Sequence, residues 1–282
     1  MSYHIDVLPG DKDKNTPFKY DKEGVIKTKI PYTQEYHYHV TSIASCALSG
    51  GEDETDPHIK WLLNNMGKDG SFKHNFTFPF YNNFPKAWVG GLAQGLAVSA
   101  LVQANHVEAA KKAFKGIQNN CIYVDEQGDT WIEEYPLDEP VCILNGFIYA
   151  LFGVYDIKPF LHEAENLWND CIQTLRVNLS KYDMGYWSRY DLQTGIPSTE
   201  FYHNIHIAQM RVLFNLTTYK EFDFYRKKFQ RQVTDFNIFR SKIKRDVISL
   251  NKHGFAKSYQ LYKEIKEWKE TKGRRNENIN IM

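Results

Sequence analysis

The sequence predicts an all-α chain: an α/α toroid, an incomplete barrel of the (α/α)6 type, with short β-hairpins at the mouth of a central cleft. Three observations lead there. The turn glycines Gly70, Gly128 and Gly185 stand 58 and 57 residues apart, and a fixed period of this size signals a repeated supersecondary unit. After each glycine comes a short aromatic strand or hairpin, a proline, and a helix whose face carries small residues. Between the units lie amphipathic segments, so apolar inner helices alternate with polar-faced outer ones.

In chain order, a weaker fourth copy starts at Gly24 in "DKEGVIKTKIPYTQEYHYHVTSIASCALS", after an N-terminal extension or hairpin over 1–30. The barrel is expected over 31–235. The stretch "WVGGLAQGLAVSALVQA" reads as an inner helix. Its glycines follow no βαβ pattern and have the wrong spacing for a nucleotide loop, so they are assigned to close helix packing. "NHVEAAKKAFKGIQNN" and "KPFLHEAENLWNDCIQTLRVNLS" carry apolar residues at helical spacing with charges opposite, the pattern of outer helices. "VCILNGFIYALFGVYDI" is interrupted by Asn145, Gly146 and Gly153 and falls short of the roughly 18 apolar residues of a membrane span, so it reads as a buried helix. Basic helices packed on the barrel are expected over 236–270 and a flexible tail over 271–282.

Composition narrows the class. Aromatic content of 15% exceeds the usual need of a core and suits a groove that stacks flat ligands such as sugar rings. The N-terminus has no apolar h-region or small-residue cleavage site, so a cytoplasmic location is expected. Cys46, Cys121, Cys142 and Cys171 form no CxxC pair and read as buried thiols rather than a zinc knuckle or disulfide frame. Residues 219–282 hold 17 Lys and Arg against 8 Asp and Glu. These charges alternate in sign, as in "LYKEIKEWKETK", which fits a solvated helix face better than a nucleic-acid arm.

The chemistry concentrates at equivalent places in the units: Tyr36 and Tyr38, Tyr81, Glu134 and Tyr135, Tyr190 and Asp191, then Tyr202, His203 and His206. "WIEEYPLDEP" sets two carboxylates and a phenol just ahead of a buried helix. A solvated loop accounts well for Glu133 but less well for Tyr135. His203 and His206, at i and i+3, could hold a metal with Glu134 as third ligand, yet no HExxH is present and no metal is expected. No G-x-S-x-G elbow supports a nucleophilic serine. Two readings stay open. Glu134 and Asp191 could flank a glycosidic bond as a hydrolytic pair, or a base could abstract the proton beside a sugar carboxylate while nearby donors stabilise the charge.

The strings "WVGGLAQG", "EEYP", "LNGFIYALFGVYDI", "RYDL" and "YHNIHI" occur in order and resemble the C-terminal domain of the D-glucuronyl C5-epimerases, over roughly Tyr36 to Leu216. That resemblance implies an α/α barrel that inverts C5 of glucuronate to iduronate in a heparosan-like chain, without a cofactor. It implies Glu134 and Tyr202 as opposed proton carriers, with Tyr135 and Tyr190 orienting the sugar. By the same resemblance Tyr36, Tyr38, Gln94, Asn145, Arg189, His203 and His206 are candidate substrate contacts. For Gln94, Asn145 and His206 a helix-tying role stands equally open. A lyase, a hydrolase or a non-catalytic glycan-binding protein of the same fold are the alternatives. The partner is then a uronate-containing glycan, with neither nucleic acid nor a transmembrane segment involved, and a homodimer is left open. The chain departs from the family in four places. It begins almost at the barrel, where relatives carry a β-rich domain. Gln193 and Thr194 stand where an arginine is expected after "YDL", with Arg189 as a substitute. Ser45 and Cys46 replace a Gln-Tyr pair, and the loop from Tyr190 to Tyr202 is shorter than in the animal enzymes.

Overall fold

The computed structural model describes residues 18–30, 35–50, 55–77 and 84–249. Tyr81, residues 250–270 of the expected C-terminal helices and the tail 271–282 lie outside the described residues. Strands β1 (Phe18–Tyr20), β2 (Ile26–Lys29) and β3 (Tyr36–His37) form an antiparallel sheet in that order. Helices α1 (Val40–Gly50), α2 (Pro57–Asn65), α3 (Gly91–Gln103) and α4 (Val107–Asn120) follow. A hairpin of β4 (Ile122–Val124) and β5 (Thr130–Ile132) leads to α5 (Leu144–Ile157) and α6 (His162–Asn178). Then come α7 (Glu200–Thr217), α8 (Lys220–Gln232) and a further helical run over 235–249. The described chain is thus mostly helical with a few short strands. None of its helices is long and apolar enough to cross a membrane.

Burial separates two kinds of helix. Every residue of α3 from Gly91 to Leu101 is buried, as a helix apolar all round must be. By contrast α4 buries only Ala110, Ala113, Phe114, Gly116 and Ile117, one stripe along its length. Helices α1, α3, α5 and α7 pack in sequence order, and α2, α4, α6 and α8 each pack on the helix before them. The α3–α5 crossing depends on glycine. A Cβ on Gly95 would stand 2.5 Å from Ala150 Cα, and one on Gly153 would overlap the carbonyl of Gly95.

The four turn glycines share one conformation, with φ of +85° at Gly24, +84° at Gly70 and Gly128, and +81° at Gly185. This is the left-handed region that glycine adopts without a Cβ penalty. An aspartate braces each turn by accepting backbone N–H groups. Asp21 takes those of Glu23 and Val25, Asp69 that of Ser71, Asp125 those of Gln127 and Asp129, and Asp183 that of Gly185. The period seen in the sequence is therefore a repeated turn that re-aims the chain before α1, α3, α5 and α7.

Candidate active site

The end of β5 lies across the start of α3. Gly91 N donates to Glu133 O at 2.9 Å, and a Cβ on Gly90 or Gly91 would stand 2.6 Å from the carbonyl of Glu134 or Glu133. Only glycines let the strand settle there. Glu133 then turns inward, where Oε2 accepts from Val141 N at 2.9 Å and both oxygens from Cys142 N at 3.1 and 3.2 Å. It is 8% exposed, not the solvated loop charge that the sequence suggested. Burial raises its pKa against the pull of those hydrogen bonds. Its carboxylate fixes the backbone that enters α5 by accepting the amides of the two residues just before the helix cap.

Glu134 lies over α5 at Gly146, where any Cβ would overlap its Oε2. That oxygen is buried and has no hydrogen-bond partner in the protein. Burial pushes the Glu134 carboxyl up to about 7. A hydrogen bond from the Tyr135 side chain pulls it down and the charge of Glu133 adds to the rise. Tyr135 packs its ring edge-on against Phe84 at 5.4 Å and Trp88 at 5.5 Å.

The segment 189–192 is fixed to the entry of α5. Leu144 N donates to Tyr190 O at 3.1 Å and Leu192 N to Val141 O at 3.1 Å, while Tyr190 N donates to Ile196 O at 2.8 Å. Asp191 is 1% exposed and accepts from Thr194 N at 2.6 Å and from Thr194 Oγ1 at 2.8 and 2.7 Å. Its carboxylate closes a turn. Tyr190 instead brings its ring to 5.0 Å from that of Tyr202. Tyr202 sits in the first turn of α7, where its N–H donates to the capping Thr199 Oγ1 at 3.2 Å.

Burial, then the charge of Glu134, pushes the Tyr202 phenol up to about 12, opposed by Arg245 and by a hydrogen bond from Tyr190. The charge of Glu134 therefore reaches Tyr202, which puts the two in one buried neighbourhood. Tyr149, one turn beyond Asn145 on α5, joins them. Its buried hydroxyl has no protein partner, and its pKa is raised by burial and by Tyr202. On the facing helix Gln209 Nε2 donates to Asn145 O at 3.0 Å, while Gln209 Oε1 and Asn145 Oδ1 lack a protein partner. Buried polar atoms are paired in most folds. Several unpaired ones lie along a single α5–α7 seam among the described residues.

Other sequence candidates go elsewhere. Gln94 Nε2 donates to Gly70 O at 2.6 Å and Ala113 O at 2.8 Å, and its Oε1 accepts from Phe72 N at 3.0 Å, tying the Gly70 turn and α4 to α3. Nδ1 of His203 and Nδ1 of His206 both meet Ser188 Oγ at 2.8 Å, and His203 Nε2 meets Phe229 O at 2.9 Å. His203 stacks on Trp187 at 3.7 Å. Burial pushes the His203 ring down to about 4 and His206 well below its ordinary value, so both stay neutral. Arg189 Nε has no protein partner, and its guanidinium lies against the Gly195 turn. Tyr36 and Tyr38 line an open groove of about 590 Å³ with Trp61, Asn65, Lys68 and Lys73. The Tyr38 hydroxyl donates to Asp21 Oδ2 at 2.7 Å. An aromatic wall runs from this groove toward Tyr135, from His37 to Phe76 at 5.4 Å, to His74 at 5.3 Å, and to Trp88 at 4.1 Å.

Four residues at or beside this seam escaped the sequence reading: Gly146, Tyr149, Gln209 and Arg245. Tyr149 and Gln209 do leave a trace, since each is a polar side chain one or two helical turns from a candidate, Asn145 or Tyr202, and so on the same face. Gly146 and Arg245 leave none.

Residues 66–231 match the family described as D-glucuronyl C5-epimerase C-terminus. A D-glucuronyl C5-epimerase of Caenorhabditis elegans is 25% identical over 223 residues, covering 67% of this chain and 34% of the worm protein. An uncharacterized protein of Methanocaldococcus jannaschii is 31% identical over 164 residues, 52% of each chain. The chain thus spans about half or less of the length of these curated relatives.

Proposed function

The chain belongs to the D-glucuronyl C5-epimerase C-terminal family, and from that premise we propose that it inverts C5 of D-glucuronate to L-iduronate within a heparosan-like glycan. The four ordered inner helices, each backed by an outer one, are read as an open α/α toroid with this site at its mouth. One observation carries the proposal: a buried carboxyl pushed up to about 7 lies close enough for its charge to help push the Tyr202 phenol up to about 12. A base works best with a pKa near the operating pH, and an acid must hold its proton until it is needed. Ionised Glu134 takes the C5 proton, and the C–H electron pair moves into the adjoining carboxylate. Neutral Tyr202 then delivers its proton to the opposite face of C5. Glu134 is left protonated and Tyr202 ionised, the correct states for the reverse reaction, and proton exchange with solvent restores the starting pair. Asn145, Tyr149 and Gln209 supply hydrogen-bonding atoms to the sugar, and Tyr190 holds Tyr202. A hydrolytic pair needs a second free carboxylate, and Asp191 is bound into its own turn.

The test is incubation with a heparosan oligosaccharide in deuterated water, followed by NMR for deuterium at C5 and for iduronate. Glu134→Gln and Tyr202→Phe are each expected to slow exchange by about 10²–10⁴-fold, the usual worth of a general acid or base. Exchange undiminished in both would overturn the assignment. An unsaturated sugar absorbing in the ultraviolet would convert the reading to a lyase.

A further inference from the structure

Removing a proton next to a carboxylate drives a second negative charge into that carboxyl group, so the site needs a cation aimed at it. Where an arginine is expected after "YDL" this chain has Gln193, whose amide donates to Glu139 Oε2 at 2.9 Å, and Thr194, which is bound to Asp191. Arg189 lies against the Gly195 turn. Gln193 and Thr194 carry no cation, and Arg189 is not among the groups whose charge acts on Tyr202.

We propose that Arg245, on the helical run 235–249, is the cation that meets the substrate's uronate carboxylate beside Tyr190 and Tyr202. It lies beyond residues 66–231, the part that matches the family. Arg245 Nη1 donates to Pro197 O at 2.7 Å. Pro197 bridges to Arg189, immediately before Tyr190, and sits two residues ahead of the Thr199 cap of α7. One hydrogen bond thus anchors the guanidinium to the short loop that carries Tyr190 and leads into α7, where Tyr202 sits. The groups acting on its charge are Tyr190, Tyr202, Asp246 and Asp191. Asp191 is already satisfied by Thr194. A guanidinium offers five N–H donors in a planar fork, and one carbonyl takes up only one of them, so the fork can also accept a carboxylate. The same charge steadies the phenolate that Tyr202 becomes after giving up its proton, which is why Arg245 opposes the rise in the Tyr202 pKa. The family domain then obtains its carboxylate clamp from the helix that follows it.

This inference rests on the epimerase reading, and the experiment separates the two. Wild type, Arg245→Lys and Arg245→Gln are compared on a heparosan oligosaccharide and on its carboxyl-reduced form. Calorimetry gives affinity, C5 deuterium exchange gives rate, and circular dichroism confirms folding. Arg245→Gln is expected to lose about tenfold in affinity for the uronate form alone and about 10²-fold in exchange. Arg245→Lys should recover part of both, because it keeps the charge without the fork. Equal affinity losses on both sugars, or wild-type exchange in Arg245→Gln, overturns the clamp while leaving the epimerase reading intact. Uronate-selective binding that depends on Arg245 in a wild type showing no exchange keeps the clamp and removes the reading. If Arg245→Gln fails to fold, Arg245→Lys decides: full wild-type affinity and rate with a point charge would show that the forked geometry is not used.

Discussion

The hairpin ahead of α5 and the loop ahead of α7 each turn on a glycine, at φ +84° and +81°, and each turn is braced by an aspartate, Asp125 or Asp183. Each then runs into an acid next to a tyrosine. In the first, Glu134 keeps a buried oxygen without a protein partner. In the second, the acid Asp191 is bound by Thr194, and its neighbour Tyr190 meets Tyr202. The same pair of residue types thus contributes its acid in one place and its phenol in the other. What decides between them is the local backbone. Gly146 clears space over α5 for a carboxylate, whereas the turn at 191–194 closes on one. Glu133 repeats the lesson one residue away, its oxygens taken up by the amides of Val141 and Cys142. Acids taken up by backbone amides and an acid with an unpartnered buried oxygen stand side by side in sequence.

The largest expected effect tests the clearing. A Cβ at Gly146 would overlap Glu134 Oε2, so Gly146→Ala must displace the carboxylate. A displaced catalytic group costs on the order of 10²-fold in rate. Alanine is also the better helix former by about 1 kcal/mol, so α5 should persist and the loss should appear in C5 exchange more than in the melting temperature. Exchange unchanged in a folded Gly146→Ala protein would show that the hairpin acid is not held where the comparison places it.

A smaller effect tests the acids assigned to the fold. Glu133→Gln and Asp191→Asn each weaken charged hydrogen bonds to buried or half-buried partners, worth about 1.5–3 kcal/mol. Both variants should lower the urea midpoint and leave C5 exchange per folded molecule near wild type. Collapse of exchange with stability intact would mean that the two kinds of acid had been sorted the wrong way round.

Much of this arrangement was legible in the sequence, and the gaps have physical causes. The turn glycines could be read because a left-handed residue in a repeated unit demands glycine each time. The alternation of fully buried and one-sided helices could be read because burial on all sides and burial on one side leave different apolar patterns, as in α3 and α4. Glu133 was misjudged because a carboxylate is polar whether water or a buried amide satisfies it, and only the path of 141–142 tells which. The clearing at Gly146 was hidden because a glycine in an apolar helix looks like a packing residue, as Gly153 is. Arg245 was hidden among alternating charges, because nothing in their spacing tells the one half-buried arginine of that helix from its exposed neighbours.

The smallest effect follows from the Glu134 carboxyl itself, pushed up to about 7 by burial from an ordinary value of 4.5. The folded chain holds this proton more tightly than the unfolded one. Its stabilising contribution is therefore fully present below pH 4.5 and is lost as pH rises through about 7. Glu134→Gln cannot ionise and escapes that loss. The stability gap should shift toward the variant between pH 5 and pH 8 by on the order of 1 kcal/mol, since partial exposure discounts the full value. Glu133, also raised by burial, titrates in both proteins and cancels to first order in the difference. Urea midpoints of the two proteins at both pH values measure the shift. A flat gap would show that Glu134 titrates like a solvated acid, and a base of that kind lacks the matching to neutral pH that separates Glu134 from Asp191.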